Sequence, residues 1–191
     1  MKKAYITSGV GRSGKDTFCE FVGKYIPTYK YSIIDLPKEA AKLLGWDGSK
    51  EEKDRKFLSD IMDLSTEYND SPFRDVMSVV NDFKNNLIED EVLFIDMRDP
   101  KDIARAVKTF GAETILIRNP NVEKIESNHA DANVEDYEYD YIIENDDTLD
   151  RLDMMARFFV REIICWNDVK GDEKPIILTC SNLRGGVCEG F

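Results

Sequence analysis

The sequence predicts an α/β fold in which strands of parallel type alternate with helices and one run of helices interrupts the alternation. Three observations lead there. Lys3 to Tyr25 passes from a short apolar run through glycines into a helical pattern. Four later runs, Tyr29 to Ile34, Val92 to Ile95, Thr114 to Ile117 and Tyr141 to Ile143, have the length and composition of strands and stand apart from one another. Between the first two of these, 38–89 reads as helix almost throughout. At 191 residues the chain suffices for one α/β domain with a substantial core and is too short for two large ones.

The first strand is Ala4 to Thr7, and Phe18, Phe21, Val22 and Tyr25 recur at the spacing of one helix face. Between them, Gly9-Val10-Gly11-Arg12-Ser13-Gly14-Lys15 has the P-loop spacing of a glycine, four residues and Gly-Lys. Such a loop turns its amide hydrogens inward on an anion, and the helix starting near Lys15 adds the positive end of its dipole. Lys15 is thus expected to reach the β- and γ-phosphates of a nucleotide. The next residue, ordinarily a hydroxyl that serves magnesium, is Asp16, followed by Thr17. Two readings of Asp16 stand side by side: a carboxylate beside a polyphosphate implies a magnesium ion between them, or Asp16 only complements the helix dipole.

Pro27 ends the first helical pattern, and Tyr31, Ile33 and Ile34 are the apolar positions of the second strand. A short helix follows from Lys38 to Leu44, closed by Gly45. Ser49 and Glu52 read as a capping box for a helix to about Thr66, with Phe57, Leu58, Ile61, Met62 and Leu64 as its apolar residues. Pro72 opens the next helix, whose buried side is expected to be Phe73, Val76, Met77, Val80, Phe83 and Leu87. The third strand, Val92 to Ile95, delivers Asp96 to its carboxyl end, and Arg98 shares the face of Asp96 if the extended geometry continues through Met97. Asp99 and Pro100 start a helix with a stripe of Ile103, Ala106, Val107 and Phe110, ended by Gly111. The fourth strand stops at Arg118. Polar, acidic 121–139, which holds the single histidine, His129, reads as a lid-like loop. After the fifth strand comes a last helix from Thr148 to Cys165, faced by Leu149, Leu152, Met155, Phe159 and Ile163. One P-loop domain is therefore expected over 1–166, with 167–191 as an extension that forms an edge strand or stays disordered.

A net charge of −12 argues against nucleic acid or an anionic membrane as partner and for a small molecule held by local cations. No stretch approaches the roughly 18 apolar residues of a membrane span, and the N-terminus runs straight into the first strand, so a cytoplasmic protein is expected. The four cysteines lack metal-site spacing and read as reduced thiols. Nothing in the sequence speaks to oligomeric state.

Phosphoryl transfer needs a phosphate cradle, a metal ion and cations around the moving group, and a phosphate acceptor needs no general base. Arg98 is the first candidate for a contact to the transferred or acceptor phosphate, since a guanidinium pairs with phosphate oxygens. Asp96 is expected to orient Arg98 or support the metal. Arg74, Arg105 and Arg118 are weaker candidates, and His129 has no partner at a telling spacing. With these residues assembled, the chain resembles phage-type deoxynucleoside monophosphate kinases and, more distantly, phosphomevalonate kinases, whose phosphate loops end as Ser13-Gly14-Lys15-Asp16 does here. The likeness extends to Asp96 and Arg98, to Arg118 and Pro120, and to the segment from Asp140 to Asn145. It implies a P-loop NTPase fold of nucleotide kinase type, with a five-stranded parallel sheet flanked by helices and a helical acceptor-binding insert over 38–89.

It also implies ATP and magnesium as cofactors, Asp16 being the metal residue. Gly9, Gly11, Arg12, Ser13, Gly14 and Lys15, with Asp16, Thr17, Arg118 and Asn145, are then the nucleotide contacts. Lys38, Arg74 and Arg98 are the acceptor contacts, and Lys15, Arg98 and Asp96 the catalytic group. The implied reaction is ATP-dependent phosphorylation of a small phosphorylated acceptor, foremost a (deoxy)nucleoside monophosphate. The chain departs from the family in a short insert, in the compressed Pro37-Lys38, and in the lack of arginine across 121–139. Two alternatives follow: an ATP-binding protein that phosphorylates no metabolite, or a kinase for a non-nucleotide phosphorylated alcohol. Trp46, Tyr68 and Phe73 are aromatic residues near the insert that could stack a base.

Overall fold

The computed structural model describes residues 2–122, 133–165 and 175–179. His129, Cys180, Cys188 and most of the expected lid and C-terminal extension lie outside them. Six strands form one sheet in the order β2-β3-β1-β4-β5-β6: β1 Lys2–Ser8, β2 Thr28–Ser32, β3 Glu91–Asp96, β4 Glu113–Arg118, β5 Tyr141–Glu144 and β6 Ile176–Leu178. The pairs β1–β3, β1–β4, β4–β5 and β5–β6 are parallel. The sheet is therefore the expected α/β architecture with one more strand than five, the sixth being the edge strand anticipated in the C-terminal extension. Its central strands are continuous apolar runs because helices cover both faces. Val92, Leu93, Phe94 and Ile95 are all buried, as are Ile115, Leu116 and Ile117.

Contacts divide the chain into two compact units, Met1–Lys30 with Ile88–Phe191, and Tyr31–Leu87. In the first, α1 (Lys15–Val22) packs with α6 (Leu149–Phe158), and the core gathers Phe18, Val22, Leu152, Met155 and Phe159 around Tyr5. Phe159 presents edges to Tyr5, Phe18 and Tyr141 at centroid distances of 5.2, 5.7 and 5.7 Å, the tilted geometry that aromatic quadrupoles favour. Helix α5 (Pro100–Phe110) has the predicted ends: Asp99 accepts from the Lys101 amide at 2.7 Å, and Gly111 takes the left-handed conformation. Asp140 joins the starts of β4 and β5, its carboxylate accepting from Thr114 N at 2.8 Å and Thr114 Oγ1 at 3.0 Å.

The last helical segment departs from the single helix expected. It is α-helical only to Phe158 and continues as a π-helix over Phe159–Cys165, whose wider turn brings Phe159, Val160, Ile163 and Ile164 to the buried side together. Leu149, counted on the buried face, is 63% exposed because it stands in the first turn, before the helix reaches the core. Likewise α1 ends at Val22, and Tyr25 leaves the apolar face to donate its hydroxyl to Asp153 at 2.8 Å. Part of the expected loop is ordered too. A short 3-10 turn, Val134–Asp136, buries Val134, whose carbonyl accepts from the Tyr139 hydroxyl at 2.7 Å.

The second unit contains α2 (Asp35–Leu43), α3 (Glu52–Asn69) and α4 (Ser71–Asn85), each in contact with the other two. Helix α2 begins three residues earlier than expected, since Asp35 and Lys38 pair across its first turn at 3.0 Å and Ile33 and Ile34 leave the strand. The capping box is absent. Glu51 stands at the N-cap of α3, and Ser49 accepts instead from the Glu51 amide. No residue of α3 is fully buried, and Leu64 is 66% exposed. Helix α4 buries Phe73, Val76, Val80 and Phe83 at the expected spacing, whereas Leu87 lies beyond its end and is 97% exposed.

Candidate functional site

The loop between β1 and α1 is built from close approaches that only glycine permits. A Cβ on Gly9 would stand 2.5 Å from the Ile117 carbonyl oxygen and 2.6 Å from Ser13 Oγ, so the loop leaves β1 pressed against β4. Gly14 has φ +93° and its missing Cβ would collide with the side-chain amide of Asn145. That amide donates to the Ser13 carbonyl at 2.9 Å, and Asn145 N donates to the Arg118 carbonyl at 2.8 Å. Asn145 thus braces the loop from the carboxyl end of β5. Arg12 adopts φ 69°, a strained conformation for a residue with a Cβ, and Ser13 N closes a tight turn on Val10 O at 3.2 Å. Ser13 Oγ is buried and has no hydrogen-bond partner among the described residues. A cradle that a Cβ would fill, holding an unpartnered buried hydroxyl and opening on a helix N-terminus, fits a phosphate group.

Lys15 is 7% exposed and forms an ion pair with Asp96 from the end of β3. The two meet as charges rather than through a well-aligned hydrogen bond. The pair holds the Lys15 side chain at the loop. β3 ends at Asp96, yet Met97 N still donates to Thr7 O at 3.1 Å and the inside-outside alternation persists, with Met97 buried and Asp96 and Arg98 half-buried. The shared side expected for Asp96 and Arg98 is what the pattern gives. Arg98 lies near enough to Asp16 for its charge to act on that carboxylate.

Asp16 is 76% exposed and bonded through Oδ1 to Lys30 Nζ at 2.7 Å. Burial pushes its carboxyl pKa up, but the hydrogen bond and charge of Lys30, with the charges of Lys15 and Arg98, outweigh it and hold the group below the usual range. Lys30 went unnoticed in the sequence because a single lysine in a five-residue strand, far from Asp16 along the chain, has no spacing signal. No cluster of three or more His, Cys, Asp or Glu among the described residues has metal-site geometry. Magnesium needs no such cage, since it binds through one or two carboxylates with substrate phosphates and water. The second carboxylate oxygen of Asp16 fits that donor set, whereas Thr17, half-buried and about 100° further round the helix, does not stand in the place of the missing hydroxyl.

Of the remaining candidates, Arg118 pairs with Glu144, its register partner on β5, and lines a shallow pocket with Val10, Pro120, Val134 and Glu135 beside the loop. In the helical unit, Lys38 is tied to Asp35 and Arg74 is exposed on α4. Phe73, offered for base stacking, is 4% exposed and belongs to the core of α4, leaving Tyr68 exposed and Trp46 half-buried with its indole donating to Ser49 O at 3.0 Å. Tyr139, beside Ser8, has its hydroxyl pKa pushed up to about 12, chiefly by burial. Among the described residues no helix is long and apolar enough to cross a membrane.

No family model matches the chain, and a search of curated proteins finds no match either. Among solved structures it is similar to shikimate kinase from Aquifex aeolicus, at 13% identity over 88% of this chain and 99% of that one, with a TM-score of 0.45. It is also similar to a de novo designed protein of P-loop NTPase fold, at 15% identity over 90% of this chain and 99% of that one, with a TM-score of 0.42. The sheet order and the glycine loop between β1 and α1 define the fold.

Proposed function

We propose that this chain transfers the terminal phosphoryl group of ATP to a small phosphorylated acceptor, foremost a (deoxy)nucleoside monophosphate. The observation that carries the reading is the buried, ion-paired Lys15 at the mouth of a glycine cradle, at the carboxyl ends of parallel strands where α/β sheets bind ligands. The loop amides and Lys15 bind the β- and γ-phosphates, and Ser13 Oγ gains an anionic partner. Arg98 orients the acceptor phosphate or the group in transit, and Asp96 holds Lys15 in line. Asp16 would hold magnesium, directly or through water, and the ion would supply charge neutralisation at the phosphates. Arg118 and Asn145 stand on the donor side, while Lys38 and Arg74 of the helical unit are the acceptor candidates.

The test is acceptor-dependent ADP release over a panel of ribo- and deoxynucleoside monophosphates, with a phosphorylated alcohol beside them. Turnover with one nucleotide is expected. Turnover with the alcohol alone would reassign the acceptor. ATP binding with no acceptor-dependent release from any panel member would favour the second reading, a nucleotide-binding protein without kinase activity, to which the arginine-free 121–139 stretch lends support.

A further inference from the structure

We propose that Lys30 is a phosphate-site residue: it neutralises Asp16 in the nucleotide-free protein and competes with the divalent cation for that carboxylate when a polyphosphate enters. The proposal rests on the nucleotide-binding reading of the loop and adds to it a residue outside every motif. Its basis is the 2.7 Å contact between Lys30 Nζ and Asp16 Oδ1, in the first turn of the helix that follows the cradle.

A carboxylate there repels a polyphosphate arriving at Lys15 unless a cation stands beside it. The sequence offers a magnesium ion for that role, beside the reading in which Asp16 only complements the helix dipole, and the structure supplies a second cation from β2. Lysine suits the task. Its backbone is fixed in a strand, while its ammonium group is a point charge on a flexible stem that can leave one anion for another. Both side chains are substantially exposed, Lys30 at 40% and Asp16 at 76%, so the pair does little to hold the fold and can exchange partners at small cost. Two cations cannot share Asp16 without repelling each other. Metal binding at Asp16 therefore displaces Lys30 toward the phosphates, and without metal Lys30 screens Asp16 from them.

The experiment is calorimetric titration of ATP into the full chain, in EDTA and over a magnesium series, for wild type, Lys30→Met, Asp16→Asn and the double variant. Lys30→Met is expected to weaken metal-free ATP binding by roughly two- to fivefold and to lower the magnesium concentration that restores tight binding. In the Asp16→Asn background the same replacement should leave the magnesium midpoint unmoved. Lys30→Gln repeats the test with a polar residue, and a thermal melt of each variant verifies folding. Unchanged ATP affinity and midpoint in both Lys30 variants would overturn the proposal while leaving the cradle reading intact. An equal midpoint shift in the Asp16→Asn background would overturn the competition. A wild-type chain that binds neither ATP nor inorganic tripolyphosphate would overturn the cradle reading, and this inference with it.

Discussion

In the proposed function Lys15 combines two demands on one side chain, since a phosphate contact calls for its charge and yet it is almost wholly withdrawn from water. Asp96 resolves the conflict by lending it a counter-charge that is itself 27% exposed and still partly hydrated. Lys15→Met keeps the length of the side chain and removes the charge. Turnover should fall about 10²-fold or more, because phosphoryl transfer depends on positioned charge, while Tm moves by roughly 2–4 °C. A coupled ADP assay beside a thermal melt checks both. Arg98→Lys keeps the charge and loses the paired donors, so a phosphate contact predicts that acceptor KM or turnover suffers while ATP affinity holds. Wild-type kinetics in that variant would return Arg98 to the status of a surface charge. At this scale the sequence was readable where a motif fixes both residue and neighbour, as for Gly9, Gly14 and Lys15. It was silent where partners come from distant strands. The pairing of Lys15 with Asp96, of Asp16 with Lys30, and the bracing of the loop by Asn145 all depend on which strands lie side by side.

Helix α5 is the element whose ends were most legible, because Asp99, Pro100 and Gly111 each act locally. Asp99→Ala removes the side-chain acceptor for Lys101 N and should cost about 1 kcal/mol in urea unfolding, with no change in the denaturant slope. Helix α3 was the least legible. Its apolar residues predict a buried stripe, yet Phe57, Leu58, Ile61 and Met62 are only half-buried, since a stripe fixes which residues face inward and not how much lies over them. The π-helix was invisible for a related reason. Over Phe159–Cys165 the 3.6-residue period no longer applies, and Phe159, at its start, packs against Tyr5 and Tyr141 from distant strands. Phe159, fully buried at the meeting point of three rings, should be the costliest truncation in the chain. Phe159→Ala is expected to lose about 3–5 kcal/mol by denaturant unfolding. A loss under 1 kcal/mol would mean that the aromatic cluster is not a packed core.

Across the whole molecule, buried acids that titrate late make stability depend on alkaline pH. Burial is the main cause that raises the Cys19 thiol from 9.0 to about 12, and Tyr139 rises from 10.0 to about 12 for the same reason. Both stay protonated in the fold while the unfolded chain releases its protons first, so above pH 9.0 the unfolded state binds fewer protons and stability falls toward about pH 12. Cys19→Ala should flatten that fall between roughly pH 8 and pH 10.5, which urea melts at the two pH values would measure. The sheet order belongs to this scale as well. Strand types were readable from the apolar runs, whereas the neighbours of β1 were not, because sequence position does not say which strands meet. That order also has a history in time. β1 is made first and pairs only with strands that begin at Glu91 and Glu113, while the contacts among α2, α3 and α4 all fall within Tyr31–Leu87. At roughly 5–20 residues per second, a ribosome leaves β1 unpaired for several seconds after the loop beside it exists. The contacts of the helical unit can thus close during synthesis, whereas the glycine loop gains its supports only after β3, β4 and Asn145 have emerged.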